Sequence, residues 1–318
     1  MGNTVEEANP FDVLIAECQD DPVQLPTALL RTTFLTNRSQ EQIQARYEAH
    51  RSIRNVQYRE KLLSPDFKGW QVDDILKKLH ASANGETLPF VDPRHNLTLY
   101  ARPPQHIRDL VAEVQQAVRE IAPKIASCRP EPEVEGLVSH LQGSGVVPKL
   151  VDFLFHHRTR LVKPMISYDA TAMALSFVPA AGEETTTAHN VDGDGYTYHH
   201  LRRDASSIVT ATGLQMKPRY IALSAHITIA RFITRDGFVI DNPNEAEDEA
   251  VDHARVAALV ERVEKINEML RTKYWFQGDG AISGKGEWLV GQEKGLEFCK
   301  GTSFYGGGKA VVAGKGFQ

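Results

Sequence analysis

The stretch Ser224 to Phe232, SAHITIARF, sets an imidazole and a hydroxyl two residues apart inside an otherwise apolar run. Side chains of an extended chain alternate faces, so His226, Thr228 and Ala230 are expected on one side of a strand, with Ile227 and Ile229 on the other. Such a face joins a proton-transfer group to a hydrogen-bond donor, beside a small residue that leaves room for a ligand. An imidazole with an ordinary pKa near 6.5 can give or take a proton close to neutrality. A structural, half-buried histidine is the competing reading of the same spacing.

Among the twelve histidines, His50 and His80 repeat the pattern, as His50-Ser52 and His80-Ser82. Both fall on helical segments, where residues two apart face away from each other. Thr98, Tyr100 and Arg102 alternate with Leu97 and Leu99 and are candidate substrate contacts, ordinary strand exposure being the alternative. Tyr198, with His199, His200, Arg202 and Arg203 around it, brings stacking and cationic groups to one helix, a second candidate contact for a nucleotide. The pairs His156-His157 and His199-His200 do not suggest a metal: adjacent side chains diverge and no carboxylate stands at ligand spacing. Asp192-Gly-Asp194-Gly lacks the later acidic ligands of a calcium loop and reads as a turn. The glycine-rich runs 278–286 and 306–309 do not satisfy the phosphate-loop pattern, and no G-x-S-x-G elbow is present. Neither metal nor cofactor is expected.

The elements that must position these groups alternate along the chain. Ser39 and Gln42 have capping-box spacing ahead of a polar helix from Gln40 to Leu63, closed by Pro65. Between Arg38 and Lys61 six Arg or Lys face three Glu, which reads as a solvated helix face with a phosphate-tracking patch as the alternative. A short helix follows near Gln71 to His80, then a strand at Leu97 to Ala101 and a helix from Pro104 to about Ala122. Glu133 to Gln142 and Pro148 to Phe155 read as short helices, and Leu161 to Val178 as two strands paired about Asp169. A polar loop at Ala180 to Gly195 leads to a helix at Tyr196 to Thr212, stopped by Gly213. After the Ile221 to Ile233 strand, Val256, Leu259, Val260, Val263, Ile266 and Leu270 form one apolar stripe on a helix over Val251 to Arg271. Short strand-like runs at Glu287 to Val290 and Lys309 to Ala313 punctuate the end. Adjacent strands are joined too tightly for parallel crossovers, so the fold class is α+β with mostly antiparallel sheets flanked by helices.

With 318 residues, 42% of them hydrophobic, the chain can fill a sizeable core, and a net charge of -5 requires any nucleic-acid contact to rest on a local patch. Three widely spaced cysteines without a CxxC pair fit a reducing compartment, cytoplasmic or nuclear. No run reaches membrane-spanning length, and Glu6 stands where a myristoylation signal wants Ser or Thr.

HITIARF, preceded by a small residue and set late in an α+β chain, resembles the second signature of the 2H phosphoesterase superfamily, the LigT-like RNA ligase/cyclic nucleotide phosphodiesterases. The segments DPRHNLTLYARPPQHIRDLV, RLVKPMISYDATAMALSFVPA and YTYHHLRRD, and the tail around GEWLVGQEKGLEFCKGTSFYGGG, are similar to a eukaryotic branch of that family. The resemblance implies a two-lobed fold over 86–275, preceded by a helical N-terminal extension at 1–85 and followed by a glycine-rich hairpin or tail at 276–318. It implies metal-independent hydrolysis of a 2′,3′-cyclic phosphate on a nucleotide or RNA end. One imidazole accepts a proton, another protonates the leaving oxygen, and two hydroxyls hold the phosphate; His226 and Thr228 fall on one such pair. The other His-x-Thr/Ser pair belongs on a strand after the helix ending at Ala122, where this chain has only PKIASCRPEP, too short and proline-rich for a full strand. His95 with Thr98 and His140 with Gln142 do not restore it. The expectations are therefore an impaired cyclic phosphodiesterase-like protein, a non-catalytic nucleotide- or RNA-binding module, or a chain left incompletely folded by an exposed sheet edge.

Overall fold

The computed structural model describes residues 39–94, 96–122, 125–126, 142–183, 194–213, 223–240, 250–275, 284–301 and 309–317. Its helices are α1 (Gln40–Leu63), α2 (Asp74–Ala83), α3 (Gln105–Arg119), α4 (Val147–Val151), α5 (Tyr198–Thr210) and α6 (His253–Tyr274). Its strands are β1 (Asn96–Ala101), β2 (Ile125–Ala126), β3 (Arg160–Tyr168), β4 (Ala172–Pro179), β5 (Ala225–Phe232), β6 (Val239–Ile240), β7 (Ala250–Val251), β8 (Trp288–Leu289), β9 (Leu296–Gly301) and β10 (Lys309–Ala313). They form a five-stranded sheet in the order β2-β5-β4-β3-β8, a three-stranded sheet β1-β9-β10 and a β6-β7 pair, all antiparallel. The class is α+β.

The helices start where local chemistry directs. Gln42 N donates to Ser39 Oγ and Ser39 N to Gln42 Oε1, closing the capping box of α1. Asp252 accepts from Arg255 N at the head of α6, whose apolar stripe is buried to 4% exposure or less against one face of the large sheet. Each such side chain removed from water contributes roughly 1.5–3 kcal/mol. Within that stripe Asn267 accepts from Ile166 N at 2.6 Å and donates to Ile166 O at 3.0 Å, satisfying the open edge of β3. Asp169 caps the β3-β4 turn by accepting from Thr171 N and Ala172 N. Gly213 follows α5 with φ 86, a conformation that favours glycine.

The structure adds to these expectations in three places. Helix α1 and the segment after it share the main core: Leu62, Phe67 and Trp70 pack with Ile107, Leu175 and Val256, and Trp70 stacks on Phe232 at 4.0 Å. The segment after Ala122, read as too short for a full strand, carries one of two residues, because the open edge of β5 accepts even these: Ile125 pairs Phe232 and Ala126 pairs Arg231. Finally, β9 lies in the glycine-rich tail and is the centre of the second sheet. The Pro148 to Phe155 helix divides into α4 and a 3-10 turn at Phe153–Phe155. The expected helix at Glu133 to Gln142 lies almost wholly outside the described residues.

Two bulges interrupt the large sheet. On β3 one extra residue separates the Val162↔Val178 and Met165↔Ser176 pairs, and Lys163 there takes φ 56, unusual for a residue with a Cβ. Its carbonyl accepts from Arg51 Nη1 at 2.6 Å. On β5 the register passes from Thr228↔Ala174 to Ala230↔Met173, leaving Ile229 as the extra residue.

Candidate functional site

The bulge on β5 decides which side chains accompany His226. Opposed residues of an antiparallel pair share a face, so His226 with Ser176 and Thr228 with Ala174 lie on one side, and Ile227 with Leu175 on the other. Past the bulge the alternation slips. Ala230, only 6% exposed, turns into the core with Ile229, and Arg231, opposite Ala172, takes the place beside Thr228. The expected small residue on this face is replaced by a guanidinium.

The same face is crossed by α1. Ile43 and Tyr47 pack on Val162, Val178 and Ala180, Arg51 reaches the backbone of Lys163 and Ser176, and Asn55 donates to Ile166 O at 2.9 Å. Helix α5 lies alongside, joined to α1 where Tyr47 Oη meets His199 Nδ1 at 3.2 Å. The exposed His226–Thr228 strip of β5, with α1 packed on the same sheet face and α5 tied to α1, is the candidate binding trough.

His226 is exposed to solvent, and Ser224 Oγ lies 2.9 Å from its Nδ1, leaving Nε2 for a ligand. The protein packed around the ring lowers its pKa, and Arg202, Arg54 and Arg231 lower it further in that order, while Asp169 acts in the opposite sense. The imidazole therefore favours its neutral form. It is neutral at pH 7 and able to accept a proton. Thr228 is exposed, and its hydroxyl bonds to no described residue. Ser176, opposite His226, is buried at 2% and donates to Met165 O, so it is structural.

The guanidiniums arrive from three elements. Arg54 of α1 faces Asp169 at 3.3 Å, Arg231 of β5 faces Asp73 at 3.4 Å, and Arg202 of α5 lies 5.8 Å from the Tyr198 ring. Sequence reasoning missed Arg54 as a site residue because it is one cation among many on a polar helix, and Arg231 because no residue type announces a bulge. His50 precedes Arg54 by one turn, is 5% exposed, and is lowered to about 4 by burial and then by Arg54. Ser52 beside it is exposed, so His50 and Ser52 diverge as expected.

Of the other sequence candidates, Tyr198 is half-buried at the α1-α5 side of the trough. His199 is tied to Tyr47, His200 caps α5 through the Thr197 backbone N–H, and Arg203 pairs with Asp204. Thr98, Tyr100 and Arg102 belong to the β1 side of the second sheet, where Arg102 bonds Glu297 at 2.7 Å and lies over Tyr100. None of the leading influences on His226 comes from that sheet. Asp194 holds Arg160 through two bonds of 2.8 and 2.6 Å, a structural duty. Among the described residues no group of three His, Cys, Asp or Glu could hold a metal, and no helix is long and apolar enough to cross a membrane.

Searches of family models, of curated proteins and of solved structures match nothing to this chain.

Proposed function

We propose that the trough binds a phosphodiester, and that the chain is a metal-independent, 2H-like cyclic phosphodiesterase acting weakly on 2′,3′-cyclic phosphates of nucleotides or RNA ends. The observation that carries this reading is the convergence of Arg54, Arg202 and Arg231 on an exposed imidazole with a hydroxyl two residues on. Guanidiniums hold phosphate oxygens through parallel N–H donors, and Thr228 adds a further donor. Neutral His226 would take a proton from the attacking water through Nε2 as the new P–O bond forms. The ribose oxygen that leaves must then gain a proton, and with no second imidazole among the leading influences on His226 that step falls to solvent. One positioned proton transfer is worth about 10²–10⁴-fold, which sets the scale of the impairment. Two antiparallel sheets flanked by helices support the two-lobed arrangement that the resemblance implies.

The reading of a non-catalytic nucleotide- or RNA-binding module is favoured by one fact: the leading influences on His226 are arginines and an aspartate rather than a second imidazole. Incubating the purified chain with 2′,3′-cyclic nucleotides in EDTA separates the two. Slow hydrolysis abolished by His226→Ala supports the enzyme, and saturable binding with no product supports the module. Rapid hydrolysis insensitive to His226→Ala would overturn both.

A further inference from the structure

A second site lies away from His226. The 3-10 turn Phe153–Phe155 and the residues after it line a cavity of about 430 Å³ with Phe153, Phe155, His156 and His157, and Lys149 of α4 and Lys315 near the C-terminus complete its rim. That volume is in the range of ligand pockets, roughly 300–1,000 Å³. Phe155 is 49% exposed and meets the His156 ring edge-on at 5.6 Å. Phe153 and His157 stack at 4.4 Å and 27°, and the series continues through Tyr196, 5.0 Å from His157, to His200, 5.5 Å from Tyr196. One exposed aromatic ring is ordinary, but Phe155, the edge-on His156 and the stacked Phe153–His157 pair lining one cavity, with tilted rings behind them, offer a planar ring several aromatic faces.

The charge around the platform has one sign to spare. Lys149 and Lys315 are exposed and form no ion pair with a described residue, while the one carboxylate, Asp152, already accepts from Lys315 N at 3.1 Å. Lys315 is also fixed in place by its neighbours. A Cβ on Gly314 would stand 2.2 Å from Val151 O and one on Gly316 2.2 Å from Glu293 O, so only glycines let this backbone settle against the wall. Arg158 over Phe317 at 4.6 Å holds the segment from the other side.

We infer that this cavity takes a nucleobase on Phe155 and its neighbouring rings and the adjoining phosphate on Lys149 and Lys315, as one station for single-stranded nucleic acid. Stacking with few directed hydrogen bonds suits a sequence-tolerant strand. This station is independent of the role assigned to the trough.

Fluorescence anisotropy of a labelled twelve-residue oligouridylate with the full chain tests it. Saturable binding is expected to weaken roughly sevenfold between 50 and 200 mM salt, the release expected for about two phosphate contacts. Phe155→Ala is expected to weaken it about tenfold, and Lys149→Glu with Lys315→Glu to weaken it and flatten the salt dependence, while Lys265→Gln, an exposed lysine of α6 outside both sites, leaves it unchanged. The thermal transitions of these surface variants should match that of the parent. Binding untouched by both sets of variants, no binding at all, or uridine monophosphate competing as tightly as the oligomer would each overturn the inference.

Discussion

Two strands of this molecule offer hydroxyl, ring and cation in alternation, β5 with His226, Thr228 and Arg231, and β1 with Thr98 and Tyr100, followed just past its end by Arg102. Around β1 the charges cancel: Arg102 meets Glu297 at 2.7 Å, one against one. Around β5 Arg202, Arg54 and Arg231 from three elements all act on an exposed imidazole, with Asp169 3.3 Å from Arg54 and Asp73 3.4 Å from Arg231. Strand alternation cannot tell these faces apart. The cations that distant segments bring to bear on His226 do, and they are the reason for placing an anion on the β5 face.

The biggest loss is expected from the packing that supports the trough. Trp70, 1% exposed and stacked on Phe232 next to Arg231, should cost about 3–5 kcal/mol when replaced by Ala, read from urea unfolding. A cost below about 1 kcal/mol would mean that the segment after α1 hangs outside the core after all. His50 gives the next effect. Its folded pKa, about 4, lies below its unfolded value, so the unfolded chain binds the proton first and stability falls as pH drops from about 6.5 to about 4. The full loss is at most about 3 kcal/mol. Denaturant midpoints at pH 7 and 4.5 should differ less in His50→Gln than in the parent.

Two pairs of substitutions set the strands against each other. Arg231→Gln should weaken 2′,3′-cyclic nucleotide binding about 10–100-fold, the worth of a hydrogen bond to a charged group, whereas Arg102→Gln should leave it within about twofold. Thr228→Val should weaken binding about fivefold and Thr98→Val not at all, by the same calorimetric titration. Equal losses on both strands would erase the distinction.

Much of the fold was legible where chemistry is local. Ser39 with Gln42 set the start of α1, the stripe from Val256 to Leu270 set α6, and Asp169 marked the β3-β4 turn. His226 and Thr228 were legible as a pair because two residues of extended chain share a face whatever surrounds them. Ala230 was misplaced because the extra residue at Ile229 is a product of pairing with β4, not of its own sequence. The role of Arg54 was hidden for a related reason: a helix shows which residues share a side, but not which sheet face it will cross. Likewise β9 is buried on both faces and carries no alternation to announce it.

The sharpest check on anion binding at the β5 face is to follow the imidazole signals of His226 by NMR while 2′,3′-cyclic uridine monophosphate is added. A saturable shift and a raised pKa for this ring are expected as a bound anion offsets Arg202, Arg54 and Arg231, both lost in Arg231→Gln. A folded protein whose His226 ignores saturating ligand would show that this face holds no phosphate.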